Sequence, residues 1–234
     1  MTLTLTRTHW VSIAAVALAL LFAGAATVAS AGGDDGHPGG HGGGAAAAPA
    51  ADSADAGFAR DMAVHHQQAV EMSFVVRDRT QDEEVRRLAY DIANTQANQR
   101  GMLLGWLDLW GLPKVDSGAE PMAWMEQAHG KGGHGDGAHG DDGGQPDSGA
   151  VMPGMATRAE LDRLAKASGK QAEVLYLQLM TDHHQGGVAM AEGCASLCTV
   201  PQEKALAQGM VDAQQSEMDL MADLLKKRGA APRP

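Results

Sequence analysis

Two parts of the chain carry apolar residues every three or four positions, which is the spacing of amphipathic helices. The alternation typical of strands is almost absent, because β-branched and aromatic residues are sparse. The periodicity predicts first helices over residues 55–78 and 171–195, and second helices over residues 82–110 and 202–228. Each part is therefore predicted to be a helical hairpin, and the fold class to be all-α.

The two hairpins repeat each other at a constant offset of 118 residues. The matched positions include Phe58 and Tyr176, Met62 and Met180, His65 and His183, His66 and His184, Gln67 and Gln185, Met72 and Met190, and Gln96 and Gln214. A constant offset requires turns of equal length in both copies. Two repeated hairpins predict a four-helix bundle.

Signals at the helix ends agree with these limits. Gly111 and Gly229 stand where helix C-caps belong. Thr157 and Glu160 have the spacing of a capping box, which predicts a short extra helix before the second repeat.

Each predicted helix presents one stripe of residues to the core of the bundle. In the first helices the stripes are Phe58, Met62, His65, Ala69, Met72 and Val76, and Tyr176, Met180, His183, Gly187, Met190 and Cys194. In the second helices they are Val85, Leu88, Ile92, Thr95, Gln99, Met102 and Trp106, and Leu206, Met210, Ala213, Glu217, Leu220 and Leu224. One histidine of each His-His pair is thus predicted to face the core, with His66 and His184 at the edge of the stripe.

The remaining segments differ in composition from the hairpins. Residues 1–31 have a basic start, an apolar run and a small-residue cleavage site, which predicts a signal peptide and an exported protein, with an uncleaved membrane anchor as the alternative. The predicted plan then has a Gly/Ala/His-rich tail (32–54), the first hairpin (55–112), a Gly/His/Met-rich linker (113–154) and the second hairpin (155–229), with residues 52–229 forming one four-helix domain.

The net charge is −11, and removal of the predicted signal, whose one charged residue is Arg7, makes it more negative. An acidic chain of this kind is a poor candidate for binding nucleic acid or, once the signal is cleaved, a membrane surface. It can attract cations.

Both His-His pairs are framed by methionines, in the segments DMAVHHQQAVEM and LMTDHHQGGVAM. Burying these polar groups is costly unless they find partners, and one alternative is that they satisfy one another with Glu217, Gln99 and water. Neutral imidazole combined with thioether sulfur suits Cu(I), with Ag(I) as its mimic. The predicted copper ligands are His65, His183, His66, His184, Met62, Met72, Met180 and Met190, while Gln99 and Glu217 are predicted to orient the imidazoles.

Two further groups of residues could bind a metal. Cys194 and Cys198 are the only cysteines, and an exported protein favours a disulfide between them, with Cys194 as a soft metal ligand as the alternative. Because the two stand four residues apart, the helix is expected to end or distort there. The linker histidines His129, His134 and His139, with Met122, Met125, Met152 and Met155 nearby, form either a loose chelator or a plain linker, as do His37 and His41 in the tail.

The residues quoted above resemble the domain of unknown function 305 family. The resemblance rests on the doubled His-His-Met motif, on MPGM followed by TRAELDRLAKASG, and on QQSEM near the end of the second hairpin. It implies an exported bacterial protein with a ferritin-like four-helix bundle, and some members look like periplasmic copper-binding or copper-tolerance proteins. The chain departs from the family pattern at Ala172 and Glu173, where an aromatic-Asp pair is usual, and at Gly187, where Ala is common.

The sequence agrees less well with other classes of function than with copper binding. A di-iron oxidase requires Glu-x-x-His motifs, and neither His-His pair has a Glu three residues before its histidine. No nucleophile elbow, Gly-rich phosphate loop or zinc protease motif is present either, so no enzyme activity is expected. A bundle that binds haem non-covalently through His and Met axial ligands, and an interaction module with a satisfied polar core, remain as alternatives. The expected role is copper sequestration, delivery or tolerance, and the sequence names no copper-transfer partner.

Overall fold

A computed structural model describes residues 47–126 and 149–233 of the chain. This part contains the helices α1 (Ala54–Arg79), α2 (Glu83–Trp110), α3 (Ala123–Glu126), α4 (Arg158–Lys166), α5 (Gly169–Leu197) and α6 (Pro201–Lys227), and no strand. The prediction of an all-α fold is confirmed. The predicted signal peptide and the histidines of the tail and the linker lie outside the described residues.

Local hydrogen bonds set the helix ends. Ser53 and Asp82 cap the N-termini of α1 and α2, because their side chains accept the backbone N–H groups three residues ahead. Gly111 ends α2 in the left-handed conformation (φ 67°), as its position predicts. The predicted capping box of Thr157 and Glu160 is present and starts α4.

The two long helical hairpins pack together through their first helices. Helix α1 lies beside α2, α5 lies beside α6, and α1 packs on α5. The start of α1 meets the end of α5, since Asp55 accepts hydrogen bonds from Thr199, so the two helices are antiparallel. The end of α6 meets the start of α2 through an ion pair between Lys227 and Glu84 (2.7 Å). The four long helices thus form one bundle.

Helices α1 and α5 are the two central helices of the bundle. A buried acid near the start of each of them binds the turn that follows the end of the other central helix. Asp55 accepts from the backbone N–H groups of Thr199 and Val200, at 2.8 and 2.7 Å. Glu173, its counterpart at the 118-residue offset, accepts from the Thr80 hydroxyl (2.6 Å) and from Nε of Arg228 (2.7 Å). Glu173 stands where the family pattern usually has Asp, and its carboxylate still accepts hydrogen bonds that hold the turn.

The predicted stripes of the central helices are buried along their whole length, from Phe58 to Val76 and from Tyr176 to Cys194. The stripes predicted for the outer helices are wrong at several positions, although Leu224 near the end of the second stripe is buried as predicted. Thr95, Met102, Ala213 and Leu220 are exposed, and the residues that follow each of them, Gln96, Leu103, Gln214 and Met221, are buried instead. The reason is that a straight helix has 3.6 residues per turn, so its buried face drifts by about 20° per heptad from a strict seven-residue repeat.

The short helix α3 was not predicted from the sequence. It lies in the segment assigned to the linker, where Trp124 packs edge-on against Phe58 with ring centroids 5.8 Å apart. The Trp124 indole N–H and the Met122 backbone N–H both donate to Oδ2 of Asp61. This end of the linker is therefore part of the folded domain. Among the described helices, none combines the length and the apolar character that crossing a membrane requires.

Candidate metal centre

The two His-His pairs meet where α1 crosses α5. The rings of His65 and His183 are in contact, with centroids 3.8 Å apart and planes inclined by 35°. His66 and His184 lie beside them, and all four side chains are fully buried. The structure thus brings together the four histidines that the sequence places in separate repeats.

The core-facing histidines each donate a hydrogen bond to a backbone carbonyl. Nε2 of His183 lies 3.0 Å from the carbonyl oxygen of His65. Nε2 of His65 lies 3.4 Å from the carbonyl oxygen of Pro153, which belongs to the MPGM segment before α4. Because a carbonyl oxygen can only accept, Nε2 carries the proton in both rings.

The edge histidines donate to side chains of the outer helices. Nε2 of His66 lies 2.9 Å from Oε1 of Gln99, and Nε2 of His184 lies 2.7 Å from Oε2 of Glu217. Gln99 and Glu217 therefore contact the edge histidines, and not His65 and His183 as in the polar-core alternative. The two contacts are equivalent under the 118-residue offset.

The opposite nitrogen, Nδ1, is buried in all four rings and has no hydrogen-bond partner within the described residues. Burial is the main cause that lowers the pKa of His65 to about 4 and that of His66 to about 3, and it holds the pKa of His183 well below its usual range. Neighbouring imidazoles lower these pKa values further. The rings of His65, His66 and His183 are therefore neutral near pH 7, and each presents an unprotonated Nδ1 lone pair.

The four methionines predicted as ligands are fully buried and fall into two pairs. Met62 and Met190 belong to one hydrophobic cluster, and Met72 and Met180 belong to the other. Met62 precedes the first His-His motif and Met190 follows the second, whereas Met180 precedes the second motif and Met72 follows the first. Because α1 and α5 are antiparallel, one methionine pair lies on each side of the histidines.

Two buried amides near the histidines were not predicted as site residues. Gln96 and Gln214 are 2–3% exposed, and the oxygen and nitrogen of both amides have no hydrogen-bond partner in the part of the chain that the structure describes. The Gln214 amide occupies the space above Gly187, where an added Cβ would lie 2.4 Å from its oxygen. The signal that could have identified this pair is its exact match at the repeat offset.

The MPGM segment is the other feature that sequence reasoning missed at this site. It lies against α5 so closely that a Cβ added to Gly186 would be 2.1 Å from the Pro153 oxygen. Gly154 has φ +75°, and a Cβ there would be 2.3 Å from the Asp182 oxygen. Gln68 of α1 holds the next residues through two hydrogen bonds to the backbone of Ala156. The segment therefore covers His65 from one side.

Cys194 and Cys198 form a disulfide, which is one of the two states that the sequence allows. Helix α5 ends at Leu197, directly before Cys198, in agreement with the expected end of the helix. With both sulfurs bonded to each other, Cys194 is not available as a metal ligand in this state.

Solved structures share this fold. A DUF305 protein from Streptomyces coelicolor, described as secreted, is 62% identical, with 79% of this chain and 99% of that chain covered and a TM-score of 0.68. A DUF305 fragment from Deinococcus radiodurans is 28% identical, with 74% and 96% covered and a TM-score of 0.56. CopM in its Cu(I)-bound form is 19% identical, with 74% and 96% covered and a TM-score of 0.52, a likeness that concerns the fold alone.

No curated protein matches the sequence significantly. Residues 55–225 match the family described as "Domain of unknown function (DUF305)", which includes both hairpins and all four histidines. The chain therefore belongs to the DUF305 family.

Proposed function

We propose that the protein is an exported, non-catalytic metal-binding protein that holds Cu(I) between its two His-His motifs. The observation that carries this proposal is the set of four buried Nδ1 atoms at the crossing of α1 and α5, none of which has a hydrogen-bond partner among the described residues. A buried acceptor without a donor costs free energy, and a metal ion is a partner that would satisfy several such acceptors at once.

The hydrogen bonds around the histidines support a ligand role. Metal-binding histidines commonly donate their second ring N–H to a carbonyl or carboxylate, which fixes the tautomer and orients the ring. All four rings have such an acceptor on Nε2: Pro153, the His65 carbonyl, Gln99 and Glu217. A merely satisfied polar core would use both nitrogens of each ring.

The choice of Cu(I) rests on the donor types. Neutral imidazole and thioether are soft or borderline donors without charge, and they favour a soft monovalent ion, for which Ag(I) is a mimic. The methionine pairs lie on both sides of the histidines and would complete the coordination. The depressed pKa values of His65 and His66 keep these two imidazoles unprotonated in mildly acidic surroundings.

Two relatives agree with the proposal. CopM, which shares the fold, has been solved with Cu(I), with Cu(II) and with silver. The Streptomyces coelicolor protein is described as secreted, in keeping with an exported chain. The proposed role is copper sequestration, delivery or tolerance, in which the metal ion is the cargo.

The contact between His65 and His183 argues against a haem held between these two rings. Axial ligands lie on opposite faces of a porphyrin, whereas these two rings already touch at 3.8 Å. Purified protein is expected to show no Soret absorption after incubation with haem.

An anaerobic titration with Cu(I) against a colorimetric chelator tests the proposal. The wild-type protein is compared with the double variant His65→Ala/His183→Ala and with a control, Gln67→Ala/Gln185→Ala, whose exposed side chains adjoin the same motifs. We expect tight binding by the wild type and the control, and its loss in the histidine variant. Absence of tight binding by the wild type, or equal binding by all three proteins, would refute the copper site.

A further inference from the structure

A second group of potential ligands lies at the turn between α5 and α6. The sulfurs of Cys194 and Cys198 and a carboxyl oxygen of Glu203 lie within 4.8 Å of one another, and all three residues are buried. Cys194 is in the last turn of α5, Cys198 caps that helix, and Glu203 is in the first turn of α6. The copper site proposed above does not involve them.

Glu203 is buried beside a second acid, Asp55, and burial together with this proximity raises the pKa of the Glu203 carboxyl. Its side chain is fully buried, and no N–H or hydroxyl group in residues 47–126 and 149–233 donates to either carboxyl oxygen. The neighbouring acid, Asp55, differs because it accepts three hydrogen bonds from Thr199 and Val200. Two buried acids side by side are costly to ionise together, so a bound cation is a physical reason for the presence of Glu203.

We propose that reduction of the Cys194–Cys198 disulfide creates a Zn(II) site whose ligands are the two thiolates and the Glu203 carboxylate. A dithiol reductant supplies two electrons and two protons, which break the S–S bond and give two thiols, while the reductant becomes a cyclic disulfide. The thiols release their protons when the metal binds.

The mixed donor set selects zinc over copper. Zn(II) accepts thiolate and carboxylate together in a tetrahedral site, and three protein ligands leave the fourth position for a water molecule. Cu(I) favours soft donors and gains little from a carboxylate. The two metal sites would therefore differ in chemistry as well as in place.

The turn is held in position without the disulfide. The Cys198 N–H donates to the Cys194 carbonyl (2.8 Å), and Asp55 binds the backbone of the next two residues from the side. Because these hydrogen bonds do not depend on the S–S bond, the two thiols are expected to stay near Glu203 after reduction. Zinc would then join α5 to α6 in place of the disulfide.

The test is carried out in the His65→Ala/His183→Ala background, so that the histidine site does not contribute. The protein is reduced with dithiothreitol, freed of it anaerobically, and assayed for two free thiols. It is titrated first with Co(II), as a spectroscopic probe, and then with Zn(II) against a chromophoric chelator. The same measurements are made on Glu203→Gln, on Cys194→Ser/Cys198→Ser, and on the exposed control Glu192→Gln.

We expect one Co(II) per chain with a thiolate-to-metal charge-transfer band, which Zn(II) abolishes and which the oxidised protein and the serine variant lack. Glu203→Gln should lower Zn(II) affinity by at least about tenfold, and Glu192→Gln should leave it unchanged. No charge-transfer band despite two free thiols, equal Zn(II) affinity of Glu203→Gln and wild type, or a loss of helical circular dichroism on reduction that Zn(II) does not reverse would each overturn the proposal. Failure of the copper proposal is seen separately, in the Cu(I) titration of the oxidised protein.

Discussion

His184 donates to a carboxylate, Glu217, at 2.7 Å, whereas its counterpart His66 donates to the neutral amide of Gln99 at 2.9 Å. The two halves therefore place the same imidazole geometry next to different charges. A carboxylate that accepts from a ring N–H makes the opposite nitrogen a better metal donor than an amide does. His184 is accordingly expected to be the stronger donor of the two.

Replacing Glu217 tests this asymmetry. Glu217→Gln keeps an acceptor for His184 but removes the charge, and we expect Cu(I) affinity to fall by about tenfold, with a larger loss for Glu217→Leu. The measurement is the anaerobic competition titration, with the exposed Glu192→Gln as control. Equal affinities of the wild type and both Glu217 variants would show that the carboxylate does not tune the site.

The stability of the metal-free protein should decrease in acid because of the buried histidines. The unfolded chain takes up protons at histidine below about pH 6.5, whereas folded His65 and His66 do so only near pH 4 and pH 3. Lowering the pH from 6.5 to 4 therefore favours unfolding, by about 1.4 kcal/mol per histidine and pH unit. Urea unfolding followed by circular dichroism in the presence of a chelator measures this slope. His65→Ala/His183→Ala should flatten it, and an unchanged slope would contradict the prediction.

Glu203 predicts a loss of stability on the alkaline side. Burial, reinforced by the neighbouring Asp55, raises the pKa of this carboxyl to about 9 from an ordinary value of 4.5. The unfolded chain loses this proton first, so the free energy of unfolding falls as the pH rises from 4.5 to 9. Below pH 6.5 the buried histidines take up more protons on unfolding than Glu203 releases, so the free energy of unfolding falls as the pH decreases. The protein is therefore expected to be most stable near neutral pH.

The variant Glu203→Gln should remove the alkaline loss, because an amide does not titrate. Urea unfolding of the disulfide-bonded protein at pH 7 and pH 9 measures the change in the free energy of unfolding. The control variant is Glu192→Gln, at an exposed position. We expect Glu203→Gln to be equally stable at both values, while the wild type and the control lose stability. A parallel loss in all three would assign the effect to other groups.

The close approach of the MPGM segment to α5 predicts opposite effects for two glycines. Gly186→Ala places a methyl group against the Pro153 backbone and should destabilise the fold by about 1–3 kcal/mol. Gly209→Ala, in an α6 position with open space around it, should stabilise by about 0.5–1 kcal/mol. Thermal unfolding measures both. If Gly186→Ala is also stabilising, the segment is not held against α5 as described.

The sequence predicted the central helices and their histidines well because the relevant signal is local. A stripe repeated in two copies specifies which face of α1 and α5 is buried, and one histidine of each pair lies on it. The same reasoning misplaced the stripe of the outer helices, since a seven-residue repeat ignores the drift that brings Gln96 and Gln214 inward.

Features that depend on contacts between distant segments could not be predicted. Nothing local to Pro153 indicates that its carbonyl will lie on His65, 88 residues away. From the sequence, Glu203 is an ordinary acidic residue in the first turn of α6. It is buried only because the turn packs beside Asp55. Trp124 likewise gains its place from Phe58 and Asp61 on another helix.

The joining of the two hairpins in one chain has a consequence for binding in dilute solution. Each half supplies two of the four histidines, so a separate pair of hairpins would first have to associate, and its metal affinity would depend on protein concentration. The covalent link replaces that bimolecular step with an intramolecular one of fixed, high effective concentration. The affinity of the proposed copper site should therefore be the same at nanomolar and at micromolar protein.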